Sequence, residues 1–444
     1  MADRDDLRKL RPPKPVLEIA DRLEKSGYET WCVGGAVRDA LLDQPHLDWD
    51  LATAATPEQV RALFGHRRTI PVGIEFGTVG VLDDHKTLHE VTTFRRDVHT
   101  DGRHAEVEFG ASLDEDLARR DFTINAIAYS PRQEQLRDPY GGREDLKRGV
   151  VRAVGHPDDR MREDRLRVLR AIRFAARFNF EIDAATWRAM VASAPYLSRL
   201  SPERVKQELE KTMDQVARPS RALMRWRESG ALAALVPSLG GVSDDTLRAL
   251  DCLAQPGLRQ RPNRRIHRLA LLFSEVPASR EGLPAALVAL RMSKMDMNWI
   301  VALVQRWQSL GDVVGQALQS DTPVPDAQVR RWVAAFGRLH LGGFFRIASA
   351  RWAIAREHGA APAAARVNAL YRRALRAAFR DPVDLRDLAI DGDDLRRAGV
   401  PPGPRVGRVL QELLDWVLED PARNTPAELM KRARALASHQ GEEA

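Results

Sequence analysis

Two aspartates one residue apart, Asp48 and Asp50, constrain the fold of this chain more than any other feature. They lie in residues 47–53, whose composition predicts a strand. Side chains alternate along a strand, so both carboxylates would point to the same face. Like charges this close repel unless a cation lies between them. The pair therefore predicts a site for Mg²⁺, which takes one or two carboxylates and completes its coordination with water and substrate phosphates.

A glycine pair upstream is a candidate for binding those phosphates. Residues 30–33 predict a short strand, Gly34 and Gly35 follow directly, and residues 36–42 predict a helix. This order presents backbone N–H groups and a helix N-terminus to an anion. A glycine pair is also an ordinary turn signal. Arg38, one turn later, and the acidic pair beyond it favour an anion site that faces the metal site.

Further signals up to residue 155 alternate between strand and helix. Thr56-Pro57-Glu58-Gln59 predicts a helix start with a capping box, and the helix would run to Phe64. Residues 78–82 and 87–94 predict a hairpin. Glu90, in its second strand, is either a solvated surface glutamate or a third carboxylate beside the metal pair. We expect one α+β domain over residues 1–155.

The second half of this predicted domain contains a long polar segment. Residues 95–110 contain glycine and lack periodicity, which predicts a functional or mobile loop. Residues 113–129 have helical character, and residues 150–154 predict a last short strand. Beyond residue 155 helix follows helix without a fixed repeat, which predicts an elongated all-α portion. Most of the nine tryptophans lie there, where we expect them to anchor the core.

The first strong helix of that portion, predicted over residues 160–178, carries Asp164, Arg167, Arg170 and Arg173 at three-residue steps. Such a row winds around a helix, so the four side chains cannot all contact one group. One interpretation is an exposed charged face with ion pairs. The alternative is base recognition. Cytosine and adenine each present an amino donor beside a ring-nitrogen acceptor, so an aspartate beside an arginine would accept them and reject uracil and guanine. Asp164 and Arg167 are such neighbours, which leaves the other two arginines for phosphates.

Composition excludes several classes of protein. The net charge of +7 rests largely on arginine, which suits phosphate and nucleic-acid contacts. No apolar run approaches a membrane span, and the N-terminal residues lack the apolar core of a signal peptide, so we expect a cytoplasmic protein without membrane contact. Cys32 and Cys252 lie far apart and outside any CxxC pattern, so neither zinc nor a disulfide framework is expected.

Four motifs, in this order, resemble those of class II tRNA nucleotidyltransferases and bacterial poly(A) polymerases. They are GGAVRD at residues 34–39, DWD at 48–50, RRDFTINA at 119–126 and EDRLR at 163–167. Two segments downstream, DGDDL from Asp391 and GPRVG from Gly403, are similar to the C-terminal helical region of the family. The resemblance implies an α+β nucleotidyltransferase head over residues 1–155, followed by an elongated all-α neck, body and tail. We expect the neck at 156–215, the body at 216–370 and a tRNA-binding tail at 371–444.

The resemblance also implies roles for individual residues. Asp48 and Asp50 would bind Mg²⁺ and act in catalysis together with Glu90. The nucleotide-binding residues would be the glycine pair, five arginines and one aspartate, of which Asp164 and Arg167 select the base: Gly34, Gly35, Arg38, Arg120, Asp164, Arg167, Arg170 and Arg173. The segment 95–110 is similar to the flexible loop that accompanies addition of A after C. Residues 267–274 contain no His-Asp pair, so phosphatase activity is not expected.

The reaction expected from this resemblance is template-independent addition of C and A nucleotides to the 3′ end of tRNA. CTP and ATP would be the substrates and Mg²⁺ the cofactor. Alternatives are an enzyme that adds only the terminal A, a poly(A) polymerase, and, from another class, a non-catalytic RNA-binding protein. Intact Asp48 and Asp50 count against the last. The final residues, GEEA, lack the basic extension of poly(A) polymerases. Sequence does not determine the oligomeric state.

Overall fold

The computed structural model describes residues 2–45, 48–100, 105–253 and 264–439. The chain divides into two compact units, the first over Met1–Pro237 and the second over Ser238–Ala444. The first unit has mixed α and β structure, and the described part of the second is helical throughout. This confirms the predicted order of an α+β head followed by helices. No helix in the described ranges is long and apolar enough to cross a membrane.

Every strand of the described residues lies in the first unit. They are β1 (Thr30–Val33), β2 (Asp50–Thr53), β3 (Thr69–Gly73), β4 (Thr78–Leu82), β5 (Leu88–Thr93), β6 (Arg95–Thr100), β7 (Ala105–Phe109), β8 (Ala128–Ser130), β9 (Gln135–Arg137), β10 (Val150–Val151) and β11 (Glu181–Ile182). The main sheet has the order β3-β4-β5-β2-β1-β8-β9. β6 pairs with β7, and β10 pairs with β11.

The register of the main sheet brings the predicted acidic residues together. β1 and β2 are antiparallel, and Val33 lies opposite Asp50. Gly34 follows Val33 directly and therefore lies beside Asp50. β2 and β5 are parallel, with Leu51 opposite Val91. Asp50 and Glu90 each precede one member of that pair, so both side chains lie on the same face of neighbouring strands.

The helices of the first unit surround this sheet and continue beyond it. They are α1 (Ala2–Lys9), α2 (Lys14–Lys25), α3 (Gly35–Leu41), α4 (Pro57–Phe64), α5 (Leu113–Ala118), α6 (Gly142–Arg148), α7 (Pro157–Glu163), α8 (Leu166–Phe178), α9 (Ala184–Ser193), α10 (Pro202–Gln215), α11 (Pro219–Glu228) and α12 (Ala231–Leu235). The predicted start of α4 is confirmed, because Thr56 and Gln59 form a complete capping box. The buried core on one face of the sheet includes Trp31, Val33 and Phe94.

The helices of the second unit are α13 (Asp244–Cys252), α14 (Arg264–Leu272), α15 (Leu283–Ala289), α16 (Lys294–Gln319), α17 (Asp326–Phe336), α18 (Arg338–Glu357), α19 (Ala364–Arg380), α20 (Gly392–Arg397), α21 (Pro404–Glu419) and α22 (Pro426–His439). Residues of α16 to α22 share an apolar core that includes Trp332 and Trp352. Both side chains are buried, so these two tryptophans are core anchors, as predicted. Residues 267–274 lie in α14 and the turn that follows it.

Two predicted boundaries around the acidic pair and the polar segment are wrong. The strand predicted over residues 47–53 begins only at Asp50, so Asp48 precedes it; Leu47 lies outside the described residues. The segment predicted as a loop over 95–110 forms the antiparallel pair β6 and β7, joined through residues 101–104, which lie outside the described ranges. Backbone groups pair across two strands whatever their side chains are, so a polar hairpin leaves no apolar alternation to detect.

Two predicted helices end early because polar side chains bind the backbone locally. The helix predicted over 113–129 stops at Ala118, and Asp121 accepts the N–H of Phe122 further on. The helix predicted over 160–178 breaks at Asp164, which accepts the N–H of Leu166 and has an extended backbone. Aspartate favours such turns over helix interiors. The strand predicted over 150–154 is limited to Val150–Val151.

The close packing of Gly142, at the start of α6, against Thr123 can be tested by substitution. A Cβ on Gly142 would lie 2.1 Å from the carbonyl oxygen of Thr123 and 2.9 Å from Ile127 Cγ1. Thr123 begins the 3-10 turn that ends at Asn125. We predict that Gly142→Ala lowers the free energy of unfolding by about 1–3 kcal/mol, because the backbone must move apart. Urea denaturation measures this loss. Gly241→Ala, whose Cβ would meet nothing within 4 Å, is the matched control; equal losses in both variants would contradict the prediction.

Candidate active site

A cavity of about 580 Å³ in the first unit collects most of the predicted site residues. Those that line it are Gly34, Gly35, Arg38, Asp50, Glu90, Arg120, Asp164, Arg167 and Arg170. Asp48 and Arg173 are not among its lining residues. The cavity wall also contains side chains that sequence reasoning did not assign to a site, namely Thr78, Thr92, Arg95 and Phe174.

The glycine turn forms one wall of this cavity and requires glycine at its first position. Gly34 has a φ of 77°, in the left-handed region where a side chain is strained. A Cβ there would also lie 3.1 Å from Arg120 Nη1 and 3.9 Å from Asp50 Oδ2. The backbone of the turn therefore approaches a cationic and an anionic side chain at once, and a larger residue would separate them.

The carboxylates of Asp50 and Glu90 form the acidic part of the cavity. Neither makes a salt bridge within the described part of the chain. Burial, followed by the charge of Glu90, raises the pKa of Asp50 to about 6; Arg120 opposes this rise and Asp48 adds to it. Asp48 is exposed and precedes the strand, yet its charge acts on the same site. The ionised form of Asp50 is thus disfavoured until a cation approaches.

This donor set fits a divalent cation. Carboxylate oxygens are the ligands that hard cations such as Mg²⁺ prefer, and such a cation would remove the repulsion that raises the pKa of Asp50. Within the described ranges no three His, Cys, Asp or Glu side chains are grouped to hold a metal ion. The carboxylates would therefore supply only part of its coordination, and the remainder would come from water and ligand oxygens.

Arg120 adds a cationic side to the cavity, near the glycine turn. Its Nη2 donates to Asp116 at 3.1 Å, and its Nη1 donates to the carbonyl of Asn125 at 3.4 Å. Its Nε is buried and has no hydrogen-bond partner in the part of the chain that the structure describes. A buried donor without a partner is costly, so an anionic ligand in the cavity would stabilise it.

Arg38 is buried and acts mainly on the protein around it. Its guanidinium bonds Asp39 at 2.7 Å and Asn125 at 2.5 Å. It also lies over the rings of Phe174 and Phe178, at 4.9 and 4.8 Å from their centroids. Burial lowers the pKa of Arg38, and Asp39 opposes that change. These contacts join α3 to α8 and fix the orientation of the glycine turn.

Asp121 links the RRDFTINA segment to α8. Its Oδ2 accepts a hydrogen bond from Arg170 Nε at 2.7 Å and lies 2.6 Å from Arg170 Nη2, and its Oδ1 accepts a hydrogen bond from Asn125 Nδ2 at 2.8 Å. Burial alone would raise the pKa of Asp121, but Arg170 and the hydrogen bonds hold it at about 2. The sequence leaves Arg170 available for phosphates. The structure instead places it in an ion pair with Asp121 at the cavity wall.

Asp164 and Arg167 both face the cavity, although they do not share one helix. Asp164 lies in the break between α7 and α8, and Arg167 lies in the first turn of α8. Arg167 is buried and held by three acceptors, at 2.7 Å from Glu163, 2.9 Å from the carbonyl of Arg160 and 3.0 Å from the carbonyl of Arg119. Three of its five N–H donors are thus engaged, and the guanidinium is fixed.

Arg173 points away from the cavity. It lies six residues after Arg167, about 240° further around the helix, and therefore faces α10. There its guanidinium donates to Glu208 at 2.7 Å and to Gln215 at 3.2 Å, and it is only 4% exposed. A direct contact between Arg173 and a ligand in the cavity therefore has no geometric support.

Some of the residues that the sequence did not assign to the site hold the predicted ones in place. Asp121 and Asn125 belong to a motif that was noticed, and their polar side chains beside predicted core residues were a usable signal. Arg204 gave no signal, because it approaches the cavity only through the packing of α10.

The cost of ionising Asp50, which comes first from its burial and then from the charge of Glu90, can be measured without any ligand. The folded-state pKa of Asp50, about 6, exceeds its ordinary value of 3.8, so the charge costs stability above pH 4 and the full cost is reached above pH 6. We predict that Asp50→Asn raises the free energy of unfolding at pH 8, in a chelator, by about 1–3 kcal/mol, with little gain at pH 4. Denaturant titrations at both pH values test this.

Two controls complete this experiment. Asp84→Asn removes a carboxylate that is 83% exposed and should change stability little at either pH. Added Mg²⁺ should stabilise the unsubstituted chain more than Asp50→Asn. A variant less stable than the unsubstituted chain in chelator at pH 8 would contradict the proposed repulsion.

Two regions of the chain match families of known proteins. Residues 30–152 match the family described as the Poly A polymerase head domain, and residues 179–240 match the family described as a probable RNA and SrmB-binding site of polymerase A.

Several relatives that match over most of this chain are CCA-adding enzymes. The CCA-adding enzyme of Limosilactobacillus reuteri is 32% identical over 429 residues, which cover 96% of each chain. The crystal structure of the Bacillus stearothermophilus CCA-adding enzyme in complex with CTP superposes with a TM-score of 0.77 and 31% identity, over 98% of this chain and 100% of that one. The Thermotoga maritima CCA-adding enzyme complexed with tRNA has a TM-score of 0.66 at 21% identity over 98% of each chain, a likeness of fold.

Proposed function

Because this chain belongs to the family of CCA-adding enzymes, we propose that the cavity described above adds C and A nucleotides to the 3′ end of tRNA without a template. CTP and ATP are the proposed substrates, and Mg²⁺ is the proposed metal. The observation that carries this proposal is one cavity that brings together carboxylates suited to a cation, a glycine turn beside Arg120, and the pair Asp164 and Arg167.

In this proposal each wall of the cavity has its own task. Asp48 and Asp50 hold Mg²⁺, with Glu90 as a further carboxylate beside them. When bound, the metal would favour ionisation of the tRNA 3′-hydroxyl and neutralise charge on the departing pyrophosphate. The backbone of Gly34 and Gly35, together with Arg120, binds the triphosphate. Arg38 and Arg170 keep the turn and the helix in place, and Arg173 is left out of the nucleotide contacts because Glu208 and Gln215 already hold it.

Asp164 and Arg167 are proposed to recognise the base. An ionised aspartate only accepts hydrogen bonds and an arginine only donates them. An aspartate therefore bonds the amino group of cytosine or adenine, and the arginine bonds the adjacent ring nitrogen. Uracil and guanine present the opposite pattern and are rejected.

The domain organisation is proposed to follow these tasks. The head, residues 1–155, supplies catalysis, and the neck, residues 156–215, recognises the base. Residues 216–370 form the body, and residues 371–444 form the tail that binds tRNA. With tRNA as the substrate, we propose that the enzyme works in the cytoplasm.

The decisive experiment supplies defined RNA ends and single nucleotides. Purified enzyme receives tRNA that lacks CCA, tRNA that ends in CC, or unrelated RNA, with each nucleoside triphosphate alone and in mixtures. We expect addition of C, C and A followed by a stop. Long A tails would show a poly(A) polymerase, and growth only on tRNA ending in CC would show an A-adding enzyme.

Removing a metal-binding carboxylate should separate catalysis from RNA binding. We predict that Asp50→Ala lowers incorporation by at least about a hundredfold, because the metal loses a ligand, while tRNA affinity changes less than about threefold. Incorporation of labelled CMP and a filter-binding assay measure the two quantities. Retained turnover in Asp50→Ala would contradict the metal assignment.

The base-reading pair makes a separate prediction. Asp164→Ala removes the acceptor for the amino group, so we expect the preference for CTP over UTP to fall at least about tenfold. The ratio of kcat/KM for the two nucleotides on tRNA lacking CCA measures this preference. An unchanged ratio would leave Asp164 as a structural ion-pair residue.

A further inference from the structure

Arg204 contacts the proposed base-reading aspartate from a different element. It lies on the first turn of α10, and its Nη2 donates to Asp164 Oδ2 at 2.7 Å across 40 residues of sequence. The two side chains are 33% and 30% exposed. Asp164 lines the cavity, whereas Arg204 is not among the lining residues, so the arginine approaches the carboxylate from behind.

The second oxygen of Asp164 is held locally. Oδ1 accepts the N–H of Leu166 at 3.0 Å. Asp164 has an extended backbone, with a φ of −147° and a ψ of 103°. One bond within the turn still permits rotation about the Cβ–Cγ axis. The bond from Arg204 adds a second fixed point and thereby sets the plane of the carboxylate.

Arg167, the other member of the pair, does not depend on Arg204. Its guanidinium is fixed by Glu163 and by the carbonyls of Arg160 and Arg119. Loss of Arg204 would therefore loosen the acceptor of the pair and leave the donor in place. This asymmetry allows the contribution of Arg204 to be separated from general damage to the site.

We infer that Arg204 is a positioning residue that determines base specificity by fixing the carboxylate of Asp164; this rests on the proposed function. Each carboxylate oxygen keeps a lone pair for a ligand after its bond within the protein. A fixed lone pair bonds the amino group of cytosine or adenine and repels the carbonyl oxygen of uracil. A carboxylate that rotates can turn away from that carbonyl, so loosening Asp164 weakens rejection of uracil more than it weakens acceptance of cytosine.

Kinetics on tRNA lacking CCA test this inference in the full-length enzyme. The variants are Arg204→Gln, Arg204→Lys, Asp164→Asn and the double variant Arg204→Gln/Asp164→Asn, and the readout is kcat and KM for CTP and UTP. We expect Arg204→Gln to raise the UTP-to-CTP ratio of kcat/KM by about three- to fivefold. Arg204→Lys, which keeps a donor, should restore part of the discrimination.

The double variant distinguishes positioning from a general structural role. If Arg204 acts through the charge and plane of Asp164, Arg204→Gln should not change the ratio further in the Asp164→Asn background. A full additional change there would overturn the inference. Thermal unfolding of all variants shows whether a change in kinetics accompanies a change in stability, and Arg204→Lys serves if Arg204→Gln folds poorly.

Arg162→Gln is the matched control. It removes an ion pair with Asp159 on α7, at 3.1 Å and with both side chains more than half exposed, two residues from Asp164. We expect its UTP-to-CTP ratio to equal that of the unsubstituted enzyme. If the enzyme is active and Arg204→Gln leaves the UTP-to-CTP ratio of kcat/KM unchanged, this inference is overturned and the proposed function is not. An unsubstituted enzyme that adds neither C nor A would overturn the proposed function and the inference with it.

Discussion

The repulsion between the carboxylates of Asp50 and Glu90 is the constraint on which the first unit depends. The sheet register places them side by side on neighbouring strands, and the burial of Asp50 reduces the screening of its charge by water. A fold selected for stability alone would not retain this arrangement. It becomes favourable when a cation with its own negatively charged ligand occupies the cavity, so the same feature that destabilises the empty protein provides affinity for a metal and a triphosphate.

The arginines around the cavity are used chiefly to fix other groups. Arg38 joins α3 to α8 through Asp39, Asn125 and two aromatic rings, and Arg170 forms a hydrogen-bonded ion pair with Asp121. Arg167 is held by acceptors from both the RRDFTINA segment and α7. Such pairs preserve charge in a partly dehydrated site because each guanidinium has matched acceptors. Arg120 differs from these three, because its buried Nε has no hydrogen-bond partner in the described part of the chain.

Specificity in this arrangement comes from rigidity as much as from residue type. An aspartate and an arginine carry the correct donor and acceptor pattern for cytosine and adenine, but the pattern discriminates only if neither side chain can turn. The contacts of Arg167 and the proposed role of Arg204 supply that rigidity from three separate segments of the chain. The break in the helix at Asp164 contributes direction and not rigidity, since Asp164 lines the cavity from this break.

The sequence by itself determined which residue types meet. Gly34 was identifiable because a glycine pair lies between a predicted strand and a predicted helix, and Glu90 was identifiable as a candidate third carboxylate from its place in a strand. The α+β head, the hairpin of β4 and β5 and the helical remainder were also predictable, because apolar periodicity reports which face of an element is buried. The local hydrogen bonds of Asp121 and Asp164, which interrupt the predicted helices, were not predictable. The pairing of β6 with β7 was not predictable either, because these features leave no periodic signal in the sequence.

Only the tertiary structure decided what each charged side chain does. Arg170 and Arg173 look alike in sequence, three residues apart on one helix. The first pairs with Asp121 at the cavity wall and the second is buried against Glu208. Arg204 reaches Asp164 across 40 residues. The direction of a long side chain depends on which acceptors packing brings within hydrogen-bond distance. The spacing of residues in the sequence does not reveal which acceptors those are.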